Sequence, residues 1–282
     1  MKDWIVLAKA RITALVLVTT AAGYVMGSGS DLTRLAITLV GTALAASGAA
    51  ALNQVVERRW DALMRRTAAR PVAAGRIAPL AGLAFGVGLS VAGVALLAVF
   101  VNAITAALAL ATIVLYIGAY TPLKRRTSLN TLVGAVPGAI PPVMGWTAAA
   151  GTIDAGAWAL FGILYLWQLP HFLAIAWMYR EDYARAGFPM LPVVDPRGEA
   201  TARQVAVATL ALVPVSLMPT LLGLAGAVYF FGALALGIGF LAFALGLALG
   251  RERAAARRLL LASVTYLPVL LTLLVLDRSS LP

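Results

Sequence analysis

"LAITLVGTALAASGAAALNQVVERRWDALMRRTAARPVAAG", residues 35–75, changes character partway along. For about twenty residues it is small and apolar, long enough to cross ~30 Å of hydrocarbon at about 1.5 Å per residue. Then Asn53, Glu57 and Asp61 appear four residues apart, with Arg58, Arg59, Arg65, Arg66 and Arg70 around them. A greasy span that ends in opposed charges reads as a membrane helix running out into water, with chemistry at its mouth.

The rest of the chain agrees. Of 282 residues, 62% are hydrophobic and 12% charged, and the mean hydropathy is +0.93. A soluble fold of this size lacks the interior to hide that much apolar surface. Apolar runs recur at about 11–28, 35–56, 80–101, 103–121, 129–149, 156–178, 204–223, 227–250 and 259–277. The expectation is an all-α integral membrane protein, residues 1–282 forming a single bundle of nine transmembrane helices. Long cytoplasmic loops are expected after span 2 (57–79) and span 6 (179–203). The N-terminal run is followed by GSGSD rather than a cleavage site, so it reads as an uncleaved first span.

Charge placement gives the orientation. With nine spans, 20 of the 22 basic residues fall on one side, leaving Arg34 and Arg278 on the other. By the positive-inside rule the N-terminus and long loops are cytoplasmic and the C-terminus outside. The net charge of +11 is thus topological, and nucleic acid is not an expected partner. The absence of cysteine excludes disulfides and thiolate metal sites.

No proline or glycine interrupts 53–70, so span 2 is expected to continue as a helix into its loop. Residues four apart drift by about 40° on a helix, which puts Asn53, Glu57 and Asp61 on one stripe roughly 12 Å long. That is too long for one ion, but it suits Mg²⁺ ions bridged by a multi-oxygen anion, because Mg²⁺ combines one or two carboxylates with substrate phosphates. Arg66 and Arg70, with Arg65 nearby, supply forked donors for phosphate oxygens. The plain alternative is a solvated helix end with intrahelical Glu–Arg pairs.

Two further stretches weigh against that alternative. "YTPLKRRTSLN" (120–130) brings Lys124 and Arg125 to the same surface. "WQLPHFLAIAWMYREDYARAGFPMLPVVD" (167–195) holds Pro170, expected to kink span 6, and His171, the only histidine. A polar imidazole inside a span is a functional candidate by default. Glu181 and Asp182 form a second acidic cluster where span 6 ends.

These residues together resemble the UbiA superfamily of intramembrane prenyltransferases. The stripe and the arginines after it, N53-Q-V-V-E57-R-R-W-D61-A-L-M-R-R66-T-A-A-R70-P71, follow that superfamily's first motif. The glutamate at its centre is similar to the haem branch, the protohaem IX farnesyltransferases. So are KARIT (9–13), YTPLKR (120–125), GAVPGAIPPVMGW (134–146), WQLPHF (167–172) and REDYARAGFPMLPV (180–193). The superfamily's second D-x-x-x-D motif is reduced here to Glu181 and Asp182.

The resemblance implies farnesyl transfer from farnesyl diphosphate to a vinyl group of haem b, with water addition, giving haem O and diphosphate. It implies Mg²⁺ held by Asn53, Glu57 and Asp61, with Asp182 in the second site, and diphosphate bound by Arg66, Arg70, Lys124 and Arg125. His171 would ligate the haem iron or take the proton from the trapping water, and Arg11 or Lys9 would meet a haem propionate. Haem is then a substrate and the bilayer, a cell inner membrane, the medium. The next haem-modifying enzyme is the one protein partner suggested. Polyprenyl transfer to an aromatic acid or quinone precursor is the nearest alternative. A small-solute transporter is the alternative of another class, but nearly all charge lies at helix ends rather than the midplane.

Overall fold

The structure, a computed structural model, describes residues 1–279. A short helix α1 (Lys2–Leu7) precedes the first apolar helix α2 (Ala10–Met26). The long helix α3 (Leu32–Asp61) and α4 (Pro79–Phe100) follow. Next come α5 (Ala103–Val114), a π-helical turn (Leu115–Tyr120) and α6 (Thr121–Leu123), which run on as one rod. Then come α7 (Asn130–Ala150), α8 (Ala155–Met178) and two short helices, α9 (Arg180–Arg185) and α10 (Leu191–Val194). Three long helices finish the chain: α11 (Glu199–Leu221), α12 (Ala227–Gly250) and α13 (Arg253–Leu276). Apart from one β-bridge between Ala225 and Arg278, the described residues contain no β structure.

The nine apolar spans expected from sequence are all present as helices among the described residues. Eight are long and apolar enough to cross a membrane, and α2 is a shorter ninth of 17 residues. This is an all-helical integral membrane protein. Side chains set the helix ends: Asp31 accepts from the Thr33 and Arg34 amides at 2.8 and 3.1 Å to start α3. Asp154 does the same for α8 through Gly156 and Ala157, and α8 then runs unbroken through Pro170.

One expectation fails. The helix of span 2 stops at Asp61 instead of continuing toward residue 70. Thr67 Oγ1 donates to the Asp61 carbonyl at 2.9 Å, and the chain turns back over its own helix end. The cause is local: the hydroxyl offers that carbonyl the hydrogen bond that a further helical turn would have supplied.

The largest core cluster joins α2, α7, α8, α11, α12 and α13, and a second joins α3, α4, α5 and α7. Lipid alone does not drive such helices together, so close backbone approach matters. A Cβ on Gly23 would overlap the Pro142 carbonyl, and one on Gly145 would overlap the Thr20 carbonyl, so α2 and α7 cross almost backbone to backbone. Because of this packing, α1, the 62–78 turns, the α6 end and α9–α10 all gather at one end of the bundle. Arg76–Asp3, Lys124–Glu57 and Arg66–Tyr183 contacts tie them together.

Candidate active site

At that end the last two turns of α3 present the stripe inward. Asn53, Glu57 and Asp61 are 2%, 2% and 0% exposed. Each is met by one cation. Lys9 Nζ donates to Asn53 Oδ1 at 3.3 Å, and Lys124 Nζ donates to Glu57 Oε1 at 2.8 Å. Arg70 Nη1 donates to both Asp61 carboxylate oxygens at 2.7 Å. The last two are buried ion pairs rather than solvated surface ones, so their attraction is little screened and leaving one partner alone would be costly.

Each cation arrives by a different route. Arg70 is delivered by the turn at Thr67, not by a longer helix. Lys124 follows the π-helical turn, whose extra residue shifts the register of everything after it. That register also places Thr121, whose Oγ1 accepts from Asn53 Nδ2 at 3.2 Å and donates to the Tyr116 carbonyl at 2.8 Å. The Asn53 amide is thereby oriented, with its oxygen toward Lys9.

Lys9 stands in the left-handed region (φ 50°, ψ 47°) between α1 and α2. For a lysine this costs about 1–3 kcal/mol and persists only where the surroundings over-determine it. Here they do. Gln54 Nε2 donates to the Val6 and Leu7 carbonyls at 3.3 and 2.9 Å. Leu7 is fully buried against Ala51, Val55, Val72 and Ile77, and Arg76 holds Asp3 at 3.0 Å. Burial first, then the Arg70 guanidinium, pull the Lys9 ammonium down to about 7 against the influence of Glu57. Burial also opposes charge on Lys124, but Tyr120 and Glu57 outweigh it and hold that ammonium above the ordinary lysine range.

Arg66 donates to the Tyr183 hydroxyl at 3.1 Å and lies over the Tyr179 and Tyr183 rings, at 5.5 and 5.7 Å. Arg125 lies 4.0 Å over the Trp60 ring. A cleft of about 420 Å³ reaches Glu57 between Trp60, Thr121, Arg125 and Phe188. The two acids of the stripe thus stand among Lys9, Lys124 and Arg70 in direct contact, with Arg125 on the cleft wall and Arg66 on the Tyr179 and Tyr183 rings, an excess of cation that suits an oxyanion.

Not every expected residue joins it. Asp182 is paired with Arg185 on its own short helix at 2.9 Å, and Glu181 is exposed. Arg11 and Arg65 are also exposed, as are Arg66 and Arg125, but only the latter two are held at the site, by Tyr183 and Trp60. His171 makes its contacts elsewhere: its Nδ1 is 2.8 Å from Ser263 Oγ on α13, and its ring stacks on Trp167 at 5.0 Å. Ser263 Oγ also donates to the Leu260 carbonyl at 2.6 Å. That spends its only proton, so His171 carries hydrogen on Nδ1 and keeps a lone pair on Nε2. Sequence reasoning offered Lys9 only as a propionate candidate beside Arg11, or as topological charge, and overlooked Thr121. Their partners lie 44 and 68 residues away, and only the left-handed break and the π turn bring them in.

Comparison with known proteins follows the same lines. A family model described as the UbiA prenyltransferase family matches residues 16–267. A Solibacter usitatus protein named protoheme IX farnesyltransferase is 50% identical, covering 100% of both chains. A Salinibacter ruber protein of the same name is 49% identical over 98% of each. Among solved structures, one of digeranylgeranylglyceryl phosphate synthase superposes with a TM-score of 0.81, at 14% identity, over 98% of this chain and 97% of that one. A UbiA homolog from Archaeoglobus fulgidus bound to GPP and Mg²⁺ gives 0.66, at 14% identity, over 96% and 99%.

Proposed function

The chain belongs to the UbiA prenyltransferase family, and from that premise we infer that it transfers a farnesyl group from farnesyl diphosphate to a vinyl group of haem b. Full-length relatives at 49–50% identity carry the corresponding name, which supports the choice of substrates. The observation that carries the reading within this molecule is the stripe of buried Asn53, Glu57 and Asp61 on α3, each met by a cation from another segment. This ladder is a ready receptor for a diphosphate.

The donor set on α3, one carboxamide oxygen and two carboxylates on successive turns, consists of hard oxygen ligands. It fits Mg²⁺ shared with a phosphate-bearing substrate better than a cage closed by protein alone. Asn53, Glu57 and Asp61 would hold it. Asp182, paired with Arg185, is not linked to them by a hydrogen bond among the described residues. When bound, Mg²⁺ would supply positive charge at the leaving group.

The chain's own residues do the rest. As the allylic C–O bond breaks, the electron pair leaves with the diphosphate. The partly buried Arg70 and Lys124 meet the charge that develops there, where such contacts are stronger than in water, and the more exposed Arg66 and Arg125 add to them from the rim. The π electrons of the haem vinyl group form the new C–C bond to farnesyl C1. Water adds to the resulting cation beside the macrocycle and loses a proton, which leaves the hydroxyethylfarnesyl group of haem O. His171, with Nε2 free, orients haem through its iron or takes that proton. No oxidant or reductant is required.

The lopsided basic charge supports an orientation with the ladder, the N-terminus and α9–α10 on the cytoplasmic side and the C-terminus outside, and the membrane we propose is a cell inner membrane. The experiment is direct: purified protein, haem b, farnesyl diphosphate and Mg²⁺, resolved by chromatography. A more hydrophobic haem and released diphosphate are expected. Turnover of an aromatic acid with haem left unchanged would overturn the reading.

A further inference from the structure

We propose that Lys9 is a diphosphate-binding residue, the cation that the N-terminal segment contributes to the leaving-group site. The proposal rests on the prenyltransferase reading above and adds a residue to it.

Three independent features converge on Lys9. First, its ammonium lies within the ladder rather than at the membrane entry: its one hydrogen bond goes to Asn53 Oδ1, at 3.3 Å. A lysine has three donors, so two are unspent. Second, it is a cation held among cations. Arg70 and Lys124 already hold Asp61 and Glu57, at 2.7 and 2.8 Å, so neither acid of the stripe is left to pair with Lys9. A partly buried positive charge in that company is favourable only when an anion with several oxygens shares the hollow.

Third, its backbone is forced into place. Lys9 is one of three non-glycine residues with positive φ among the described residues. Gln54, the neighbour of Asn53, clasps the last two carbonyls of α1. The N-terminal segment is therefore indexed to the stripe by adjacent residues of α3. A lysine whose role was topological would need neither the strain nor the clasp. A haem propionate is a weaker match, because the group facing Lys9 is the first member of the stripe, not the His171 region.

The test uses the full-length protein in detergent and inorganic diphosphate with Mg²⁺ as the probe, measured by calorimetry, with steady-state kinetics alongside. Lys9→Met keeps the aliphatic stem and removes the charge. Diphosphate affinity is expected to fall at least 10-fold and KM for farnesyl diphosphate to rise, with KM for haem unchanged. Lys9→Arg should recover part of the affinity. Lys2→Met, at an exposed lysine of the same segment, should bind like the parent.

Lys9→Gly separates shape from charge, since glycine adopts the left-handed conformation freely. It should be at least as heat-stable as the parent yet bind diphosphate as poorly as Lys9→Met. Unchanged diphosphate affinity in Lys9→Met would overturn the proposal, as would normal binding by Lys9→Gly or a rise confined to the haem KM. If the parent protein made no haem product while diphosphate binding still required Lys9, the functional reading would fail and this assignment would stand.

Discussion

At the scale of single residues, Asp61 and Arg70 separate chemistry from stability. Asp61→Asn keeps shape and one acceptor at the end of α3. The protein should fold, while haem product formation falls on the order of 100-fold, because a carboxylate that would hold Mg²⁺ at the leaving group is lost. Arg70→Met instead strands a carboxylate that is 0% exposed. Thermal denaturation should then reveal a loss of about 3–5 kcal/mol, because an unpaired charge is left inside. If both variants behaved alike in both assays, the stripe would be a structural ion pair only. His171 offers a spectroscopic counterpart. In His171→Ala, the haem spectrum should lose the signature of an axial imidazole, and free imidazole should restore it. An unchanged spectrum with lost turnover would leave the base role. Ser263→Ala lets the ring change tautomer and should lower kcat roughly 10-fold, the usual cost of losing a partner that orients such a ligand.

Among the helices, the π turn and the α2–α7 crossing carry separate consequences. Removing Ala119 would convert the π turn to ordinary helix and rotate Thr121 and Lys124 by about 100° relative to Tyr116. Activity should fall on the order of 100-fold, since small misplacements in a catalytic array have large effects. Helix content by circular dichroism should stay the same. At the crossing, Gly145→Leu drives a side chain into the Thr20 backbone, where no flexible group can yield. A loss of about 1–3 kcal/mol is expected from thermal melts. Gly88→Leu, where a Cβ meets nothing within 4 Å, is the control. Neither feature was visible in the linear pattern. Nothing in "LYIGAY" distinguishes a π turn from an α turn, and the end of α3 at Asp61 depended on a threonine six residues on.

For the molecule as a whole, the spans were legible because twenty apolar residues have few alternatives in a lipid-exposed chain. The stripe was legible because a four-residue period survives in any helix. What escaped was whatever two distant segments make together: Lys9 on Asn53, Thr121 beside it, Ser263 behind His171. Orientation can be checked simply, because the chain has no cysteine of its own. Ser30→Cys, exposed in the α2–α3 turn, should react with an impermeant maleimide in intact cells. Ala184→Cys, exposed on α9, should react only after permeabilisation. The reverse pattern would invert the topology.

On the proposed reading, the two chemical partners would be handled by different stretches of chain. Every group on the ladder comes from before residue 126, with Tyr183 and Phe188 closing over it, whereas the imidazole takes its orientation from a serine 92 positions downstream. Donor recognition and acceptor recognition would then be able to drift separately. A descendant of this fold could adopt a new nucleophile by rewriting the α8–α13 seam while inheriting the leaving-group machinery intact.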